Sequence, residues 1–318
     1  MKAQWPACAR CFKEKNQMEK RLTVLVPENM DGRMVKDVAR SCLSLSSTRL
    51  KKAKRIPGGV TLNGREVYVV ERVHAGDTVS ISIEDEAPSE NVTPVEGEMD
   101  VRYEDEWLLV INKPAHMPVH PSAGHAQDSL ANLAAAKWGG VFRPVNRLDA
   151  GTSGLMVAAK DAHVHALLSK SLHSGDFVRK YLAVAEGIVE PEQGRIDAPI
   201  ARAPGSAIAR CVSPEGQRAV TDYRVIQNNG RVSLVELLLE TGRTHQIRVH
   251  MAHIGHPLVG DFLYGTEDKA RITRPALHSY FLELRHPMTG EMLRVVSELP
   301  EDMKKLLEEK MRGEDQHL

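Results

Sequence analysis

The chain has 318 residues, 42% of them hydrophobic and 26% charged, which is enough to bury one large core or a large core and a small satellite domain. Its 42 basic and 42 acidic residues cancel, so bulk attraction to a polyanion is excluded as an organising force. No stretch approaches an uninterrupted membrane span, and four cysteines do not suit a disulfide framework at this length, so a soluble protein of a reducing compartment, the cytoplasm, is expected.

The first 20 residues, "MKAQWPACARCFKEKNQMEK", lack the apolar core and small-residue cleavage site of a signal peptide and are expected to be a tail. Cys8 and Cys11 form a CxxC there. A closed zinc site needs four ligands, and Cys42 and Cys211 stand singly, so no metal is expected.

Residues 21–86 have the pattern of a small α/β domain. Val35, Val38 and Ala39 have helical spacing, and the cluster Ser46–Ser47–Thr48 can cap a second helix that ends before Pro57 and Gly58. "VTLNGREVYV" predicts a hairpin with Asn63–Gly64 at its turn, and "GDTVSISI" alternates as a strand does. From Arg33 to Arg55 there are eight basic residues and one acid. Arg49, Lys51, Lys52, Lys54 and Arg55 are thus candidates for phosphate contacts, the alternative being a solvated helix face. Residues 87–98, rich in Pro, Glu and Ser, are expected to be a linker.

Residues 99–302 mix strands ("WLLVINKP", "GLMVAAK", "KYLAVAEGIV", "TDYRVI", "SLVELLLE") with a few helices ("DSLANLAAAKWGG", "DAHVHALLSKSLHSG") and do not alternate regularly. This predicts an α+β domain on a mixed, largely antiparallel sheet with a central cleft, followed by a helix or tail over 303–318.

Three stretches of this region carry side chains suited to chemistry. In "VNRLDAGTSGLMVAAK" the isolated Asp149 precedes a sharp small-residue turn, where it either faces a ligand or merely satisfies turn N–H groups. In "ETGRTHQIRVHMAHIGHPLVGDFLYG" Thr244 can cap a short helix stopped by Gly255 and Pro257. Arg243 and Arg248 flank the start of that helix and favour an anion. Its four histidines, His245, His250, His253 and His256, lack a carboxylate or cysteine set for zinc. In "FVRKYLAVAEG" Tyr181 follows Arg179 and Lys180, and is either a stacking platform for a base or a core tyrosine.

Taken together these stretches resemble the pseudouridine synthases of the RluA type, from Asp31 to about Met303. "VINKPAHMPVHPS", "VNRLDAGTSGLMVAAK", "RKYLAVAEG" and "ETGRTHQIRVHMAHIGHPLVGDFLYG" match that family's motifs in order, and "RPALHSYFLELRHPMTGEMLRVVSELPEDM" its closing strands. The N-terminal unit is similar to a small RNA-binding domain of ribosomal-protein type. The resemblance implies a uridine isomerase acting on structured ribosomal or transfer RNA, monomeric, without cofactor or metal. Asp149 corresponds to the aspartate that acts at the ribose while the N-glycosidic bond breaks, the uracil turns and a carbon–carbon bond forms. Arg248 matches the arginine paired with it, and Tyr181 the tyrosine that stacks on the base and assists proton removal. Arg147 matches the arginine that fills the gap left by the flipped uridine, and Leu277 an apolar wall of the pocket.

Three positions depart from the family pattern: Asn146 for histidine, Ala150 for a basic residue, and His116 for glycine at a site where a positive φ would be strained. Two rivals remain: a non-catalytic RNA-binding protein on the same scaffold, and a nucleoside or glycoside hydrolase, which needs a second acid, with Asp261 as candidate.

Overall fold

The computed structural model describes residues 20–83, 92–122, 124–139 and 141–308. The Cys8–Cys11 pair, the first residues of the expected linker and the chain beyond Glu308 lie outside the described residues. The chain divides into two compact units: Met1–Ala87 with Asp161–Leu167 and His286–Glu291, and Pro88–Lys160 with Leu168–Arg285 and Met292–Leu318.

In the first unit the order is β1 (Arg21–Leu25), α1 (Val35–Ser41), α2 (Ser47–Ala53), β2 (Val60–Leu62), β3 (Arg65–Glu66) and β4 (Thr78–Ser82). The strands form an antiparallel sheet in the order β1-β4-β2-β3. Val35, Val38 and Ala39 are buried, as their spacing predicts. Ser46 is the cap of α2, its hydroxyl accepting the Arg49 N–H at 3.2 Å. The β2–β3 turn has φ of +50° at Asn63 and +81° at Gly64, the paired positive values that a tight hairpin demands. Strand β1 is not among the elements expected from the sequence. "RLTVL" alternates, with Leu22 and Val24 buried, but among the described residues it has no local hairpin partner and pairs only with β4.

The second unit runs β5 (Val101–Glu104), β6 (Leu108–Lys113), α3 (Leu130–Trp138), β7 (Arg143–Pro144), β8 (Ser153–Ala159), the second half of α4 (Ala162–Ser174), whose residues up to Leu167 fall in the first unit, and β9 (Phe177–Glu186). It continues with β10 (Gln193–Asp197), β11 (Ile200–Arg202), β12 (Arg210–Val212), β13 (Val220–Asn228) and β14 (Val232–Leu239). The last elements are α5 (Gln246–His253), β15 (Leu277–Arg285), β16 (Met292–Val296) and α6 (Glu301–Glu308). One ten-stranded sheet follows the path β10-β13-β14-β9-β15-β8-β6-β5, with β16 on β15 and β7 on β8. Every pairing is antiparallel except β8 with β15, so the fold is α+β on a mixed, largely antiparallel sheet.

The parallel contact pairs Gly154 with Ser279, and a Cβ at 154 would lie 2.2 Å from the Ser279 carbonyl oxygen. Glycine is therefore required where β8 leaves the Asp149 turn and enters the sheet. Helix α6 buries Met303 and Leu306 against Val184, Val232 and Leu234. Among the described residues no helix is long and apolar enough to cross a membrane.

Candidate active site

Asp149 lies in the turn between β7 and β8, closed by a Thr152 N–H to Asp149 C=O bond of 3.0 Å. Two buried cations brace this turn through its backbone. Lys113, at the end of β6, donates to the carbonyls of Pro114 (2.7 Å), Met117 (2.8 Å) and Ala150 (3.2 Å). Burial and the nearby Arg274 guanidinium push its ammonium pKa down to about 7, against which three carbonyl acceptors favour the charged form. Arg274 donates through Nη1 to the carbonyls of Gly151, Pro275 and Leu277, and its Nε and Nη2 grip Asp302 at 2.7 and 2.9 Å. Asn146 accepts the Val157 N–H at 2.8 Å, so the residue that departs from the family histidine supports the loop. His116 has φ +61°, the strained conformation its position predicts, and its Nε2 lies 3.1 Å from the Thr273 hydroxyl.

Arg248, in the first turn of α5, is oriented chiefly by Asp261. Its Nε and Nη2 donate to the two Asp261 oxygens, each at 2.7 Å, and its remaining Nη1 lies 3.5 Å from Asp149 Oδ2. The implied Arg248–Asp149 pair is thus the looser half of a shared arrangement. Asp261 is fully buried, and its Oδ1 also accepts the N–H groups of Leu263 and Tyr264. With both oxygens occupied, Asp261 is not a free second acid, which removes the support for a hydrolase. Burial works against the Arg248 charge, but the Asp261 bonds and both carboxylates outweigh it and raise the guanidinium pKa.

Thr244 does not cap α5. The N-cap is His245, held at φ +58°, because Gln246 turns back and its Oε1 accepts from Arg243 N–H and the Thr241 hydroxyl. The forced left-handed residue aims the imidazole at the Asp149 turn. Arg210 N–H donates to the Tyr264 hydroxyl at 2.9 Å, which leaves that hydroxyl free to donate to His245 Nδ1 at 2.7 Å. Burial lowers the His245 pKa, more than the nearby Asp149 charge raises it, and a neutral ring accepting at Nδ1 carries its proton on Nε2. Nε2 lies 3.7 Å from Asp149 Oδ2. Nothing in the sequence singles this histidine out from the other three, which the fold places apart: His250 on Thr221 and Ala198, His256 on Glu186, and His253 exposed. Among the described residues no cluster of His, Cys, Asp or Glu is arranged to hold a metal. Tyr264→Phe is expected to leave Nδ1 without its donor and to cost about 1 kcal/mol in the transition state, about fivefold in the single-turnover rate.

Arg147, Asp149, Tyr181, Arg243, Arg248 and Leu277 line one cleft of 60 Å³. Arg147 is exposed at its rim. Tyr181 is buried with its ring in the core and its phenol pKa pushed up by burial, while Arg179 pulls it back. A larger cavity of 750 Å³ is lined by the bracing groups Lys113, Arg274 and Asp302, and none of Asp149, Tyr181 or Arg248 borders it.

The five candidate cations of the first unit do not form one surface. Lys51, Lys52, Lys54 and Arg55 are exposed, whereas Arg49 is half-buried beside the core residue Leu50 and its Nη2 donates to the Ile83 carbonyl at 3.3 Å.

Comparison with known proteins decides the family. A profile described as RNA pseudouridylate synthase matches residues 107–253. The RNA pseudouridine synthase YhcT of Bacillus subtilis is 40% identical over 92% of this chain and 98% of its own length. The chain belongs to the RluA-type RNA pseudouridine synthases. These enzymes are isomerases acting on RNA. The ribosomal large subunit pseudouridine synthase D of Haemophilus influenzae is 37% identical over 88% of this synthase and 92% of its own length. Among solved structures, human RNA pseudouridylate synthase domain containing 1 is 26% identical and superposes with a TM-score of 0.55 over 63% of this chain and 83% of that one.

Proposed function

We propose that this synthase converts uridines of structured RNA to pseudouridine with Asp149 as the nucleophile at the ribose. The observation that carries the reading is the Asp149 carboxylate at the cleft, faced by Arg248 Nη1 and His245 Nε2 on a loop whose neighbouring carbonyls are held by two buried cations. One carboxylate suffices. The reaction is an isomerisation and delivers no water, so the paired acids of glycoside hydrolysis have no counterpart to supply. Arg147, exposed and at the rim, fills the gap in the RNA when the uridine is extruded, Tyr181 stacks on the base, and Leu277 walls its apolar side.

The unit at 21–86 serves as an RNA-holding module, joined by the linker 87–98 to the catalytic domain at 99–302. Its outer cations Lys51, Lys52, Lys54 and Arg55 touch phosphates. Charge-neutral Gln variants at Lys51 and Lys52 are expected to reduce the salt dependence of RNA affinity, the slope of log K against log salt falling by about 0.7 to 0.9 for each phosphate that is no longer neutralised. Arg49→Gln should instead lower the stability of that unit with the slope unchanged. Slopes identical for all three variants and wild type would remove α2 from the interface.

Large-subunit ribosomal RNA in the cytoplasm is the first substrate to test, because several relatives carry that RNA in their names. Pseudouridine mapping by chemical derivatisation and reverse-transcription stops, on ribosomal and transfer RNA from cells with and without the gene, reads the substrate directly. Sites that vanish and return only with the wild-type gene, not with Asp149→Asn, support the reading. Sites confined to transfer RNA would reassign the substrate, and restoration by Asp149→Asn would overturn the role of the aspartate.

A further inference from the structure

Strand β9 places Phe177, Arg179, Tyr181 and Ala183 on one face by its two-residue repeat, and all four are buried. Arg179 is 6% exposed. Its Nε is buried without a hydrogen-bond partner, and among the described residues the side chain makes no hydrogen bond or ion pair. The other buried arginines of this unit differ. Arg248 is forked onto Asp261, and Arg274 onto Asp302. A buried cation with no counter-charge is costly, and a native fold retains one where a partner arrives with a ligand.

Arg179 is not itself among the residues that line the Asp149 cleft, but its neighbours are. Tyr181 pairs with Leu237 and Lys180 with Leu238, so the register carries Arg179 to the level of Leu239, and both Tyr181 and Leu239 line the Asp149 cleft. A Cβ at position 242 would lie 3.2 Å from Arg179 Nη1, so Gly242, next to the cleft residue Arg243, leaves the guanidinium its room. The charge is felt at the Tyr181 phenol, as is that of Asp149.

We propose that Arg179 is a catalytic residue that receives the negative charge of the departing uracil. The inference rests on the reading that Asp149 acts at the ribose. As the C1′–N1 bond breaks, its electron pair passes into the uracil ring and spreads over N1, O2, N3 and O4, while the Asp149 carboxylate bonds to C1′. Then C5 of the turned ring bonds to C1′ and frees the carboxylate, the C5 proton leaves, and N1 takes up a proton. Atoms and charge balance without a further reactant. A guanidinium donor meets a neutral carbonyl in the ground state and an anion in the transition state, so its contribution is differential. The base is favoured over a phosphate as its partner because Arg179 lies deep on the face that holds Tyr181, whereas Arg147 and Arg243 at the cleft are free of that burial.

The test uses the full-length protein with Arg179→Gln, Arg179→Lys and Arg179→Met, and two RNAs of one sequence, with uridine or a stabilised abasic ribose at the target. Arg179→Gln is expected to lower the single-turnover rate on the order of 10²–10³-fold. Lysine should restore part of it, and affinity for the abasic RNA should match wild type. Arg179→Met should unfold at the same or a higher denaturant concentration than wild type, because the described residues give the cation nothing to bond. An equal loss of affinity for both RNAs, with a shallower salt slope, would make Arg179 a phosphate contact and overturn the proposal. So would a lowered unfolding midpoint in Arg179→Met, or undiminished turnover in Arg179→Gln. Failure of the underlying reading is distinguishable, since it alone would show as turnover by Asp149→Asn.

Discussion

Asp149→Asn is expected to fold, to bind RNA as wild type does, and to lose uridine isomerisation by on the order of 10⁴-fold, the scale seen when a reacting carboxylate or its equivalent is removed. The fold survives because the turn does not depend on the side chain. Its closure uses the Asp149 carbonyl, and its bracing uses the carbonyls of Ala150 and Gly151, held by Lys113 and Arg274. Arg248 keeps both of its 2.7 Å bonds to Asp261, so no buried charge is stranded. On the proposed reading, what the amide loses is nucleophilicity at the anomeric carbon. The measurement is single-turnover conversion of a transcribed RNA, with far-UV circular dichroism and filter binding alongside. Residual turnover within about tenfold of wild type would assign the attack to another group. Loss of binding together with turnover would make Asp149 an RNA contact and revive the non-catalytic reading.

How much of this is legible in the sequence depends on the range over which each feature is determined. The hairpin at Asn63–Gly64, the Ser46 cap and the buried stripe Val35, Val38, Ala39 are local, and the structure has them where the spacing puts them. The positive φ of His116 is readable as a departure from glycine. The α5 cap is misassigned to Thr244 because the competing acceptor, the Gln246 side chain, reaches back to Arg243 and Thr241 only in the folded loop. The Arg248–Asp261 fork spans 13 residues with a helix and a loop between, and no periodicity encodes it. Arg179 is available in principle. Alternation through Phe177, Arg179, Tyr181 and Ala183 puts it on the inner face, but its neighbour Lys180 makes the pair look like a solvated basic edge. Strand β1 shows the same limit on a smaller scale, since its pairing with β4 is set by residues more than fifty positions away.

Asp261→Asn is expected to destabilise the catalytic unit by about 3–5 kcal/mol, because it strands a buried guanidinium. An amide at 261 keeps one oxygen for the Leu263 and Tyr264 N–H groups and for Arg248 Nη2, but turns an N–H toward Arg248 Nε. Arg248 then loses its Nε acceptor and the carboxylate charge that offsets its burial, and keeps the 3.5 Å approach to Asp149. Trp107 and Trp138 both lie in this unit, so a urea titration followed by tryptophan fluorescence reads its midpoint. Activity should fall with stability in the single variant, which alone would not separate the two causes. The double variant Arg248→Met with Asp261→Leu does. Replacing a buried ion pair by apolar groups of similar volume is often neutral or stabilising, so the midpoint should recover part of the loss, the Leu263 and Tyr264 N–H groups being left without their acceptor. Turnover should stay near that of Asp149→Asn, because no guanidinium is left to orient the nucleophile. Recovery of both together would show that the pair only props up the α5 loop, and an undestabilised single variant would mean that water reaches Arg248 and supplies what Asp261 gives.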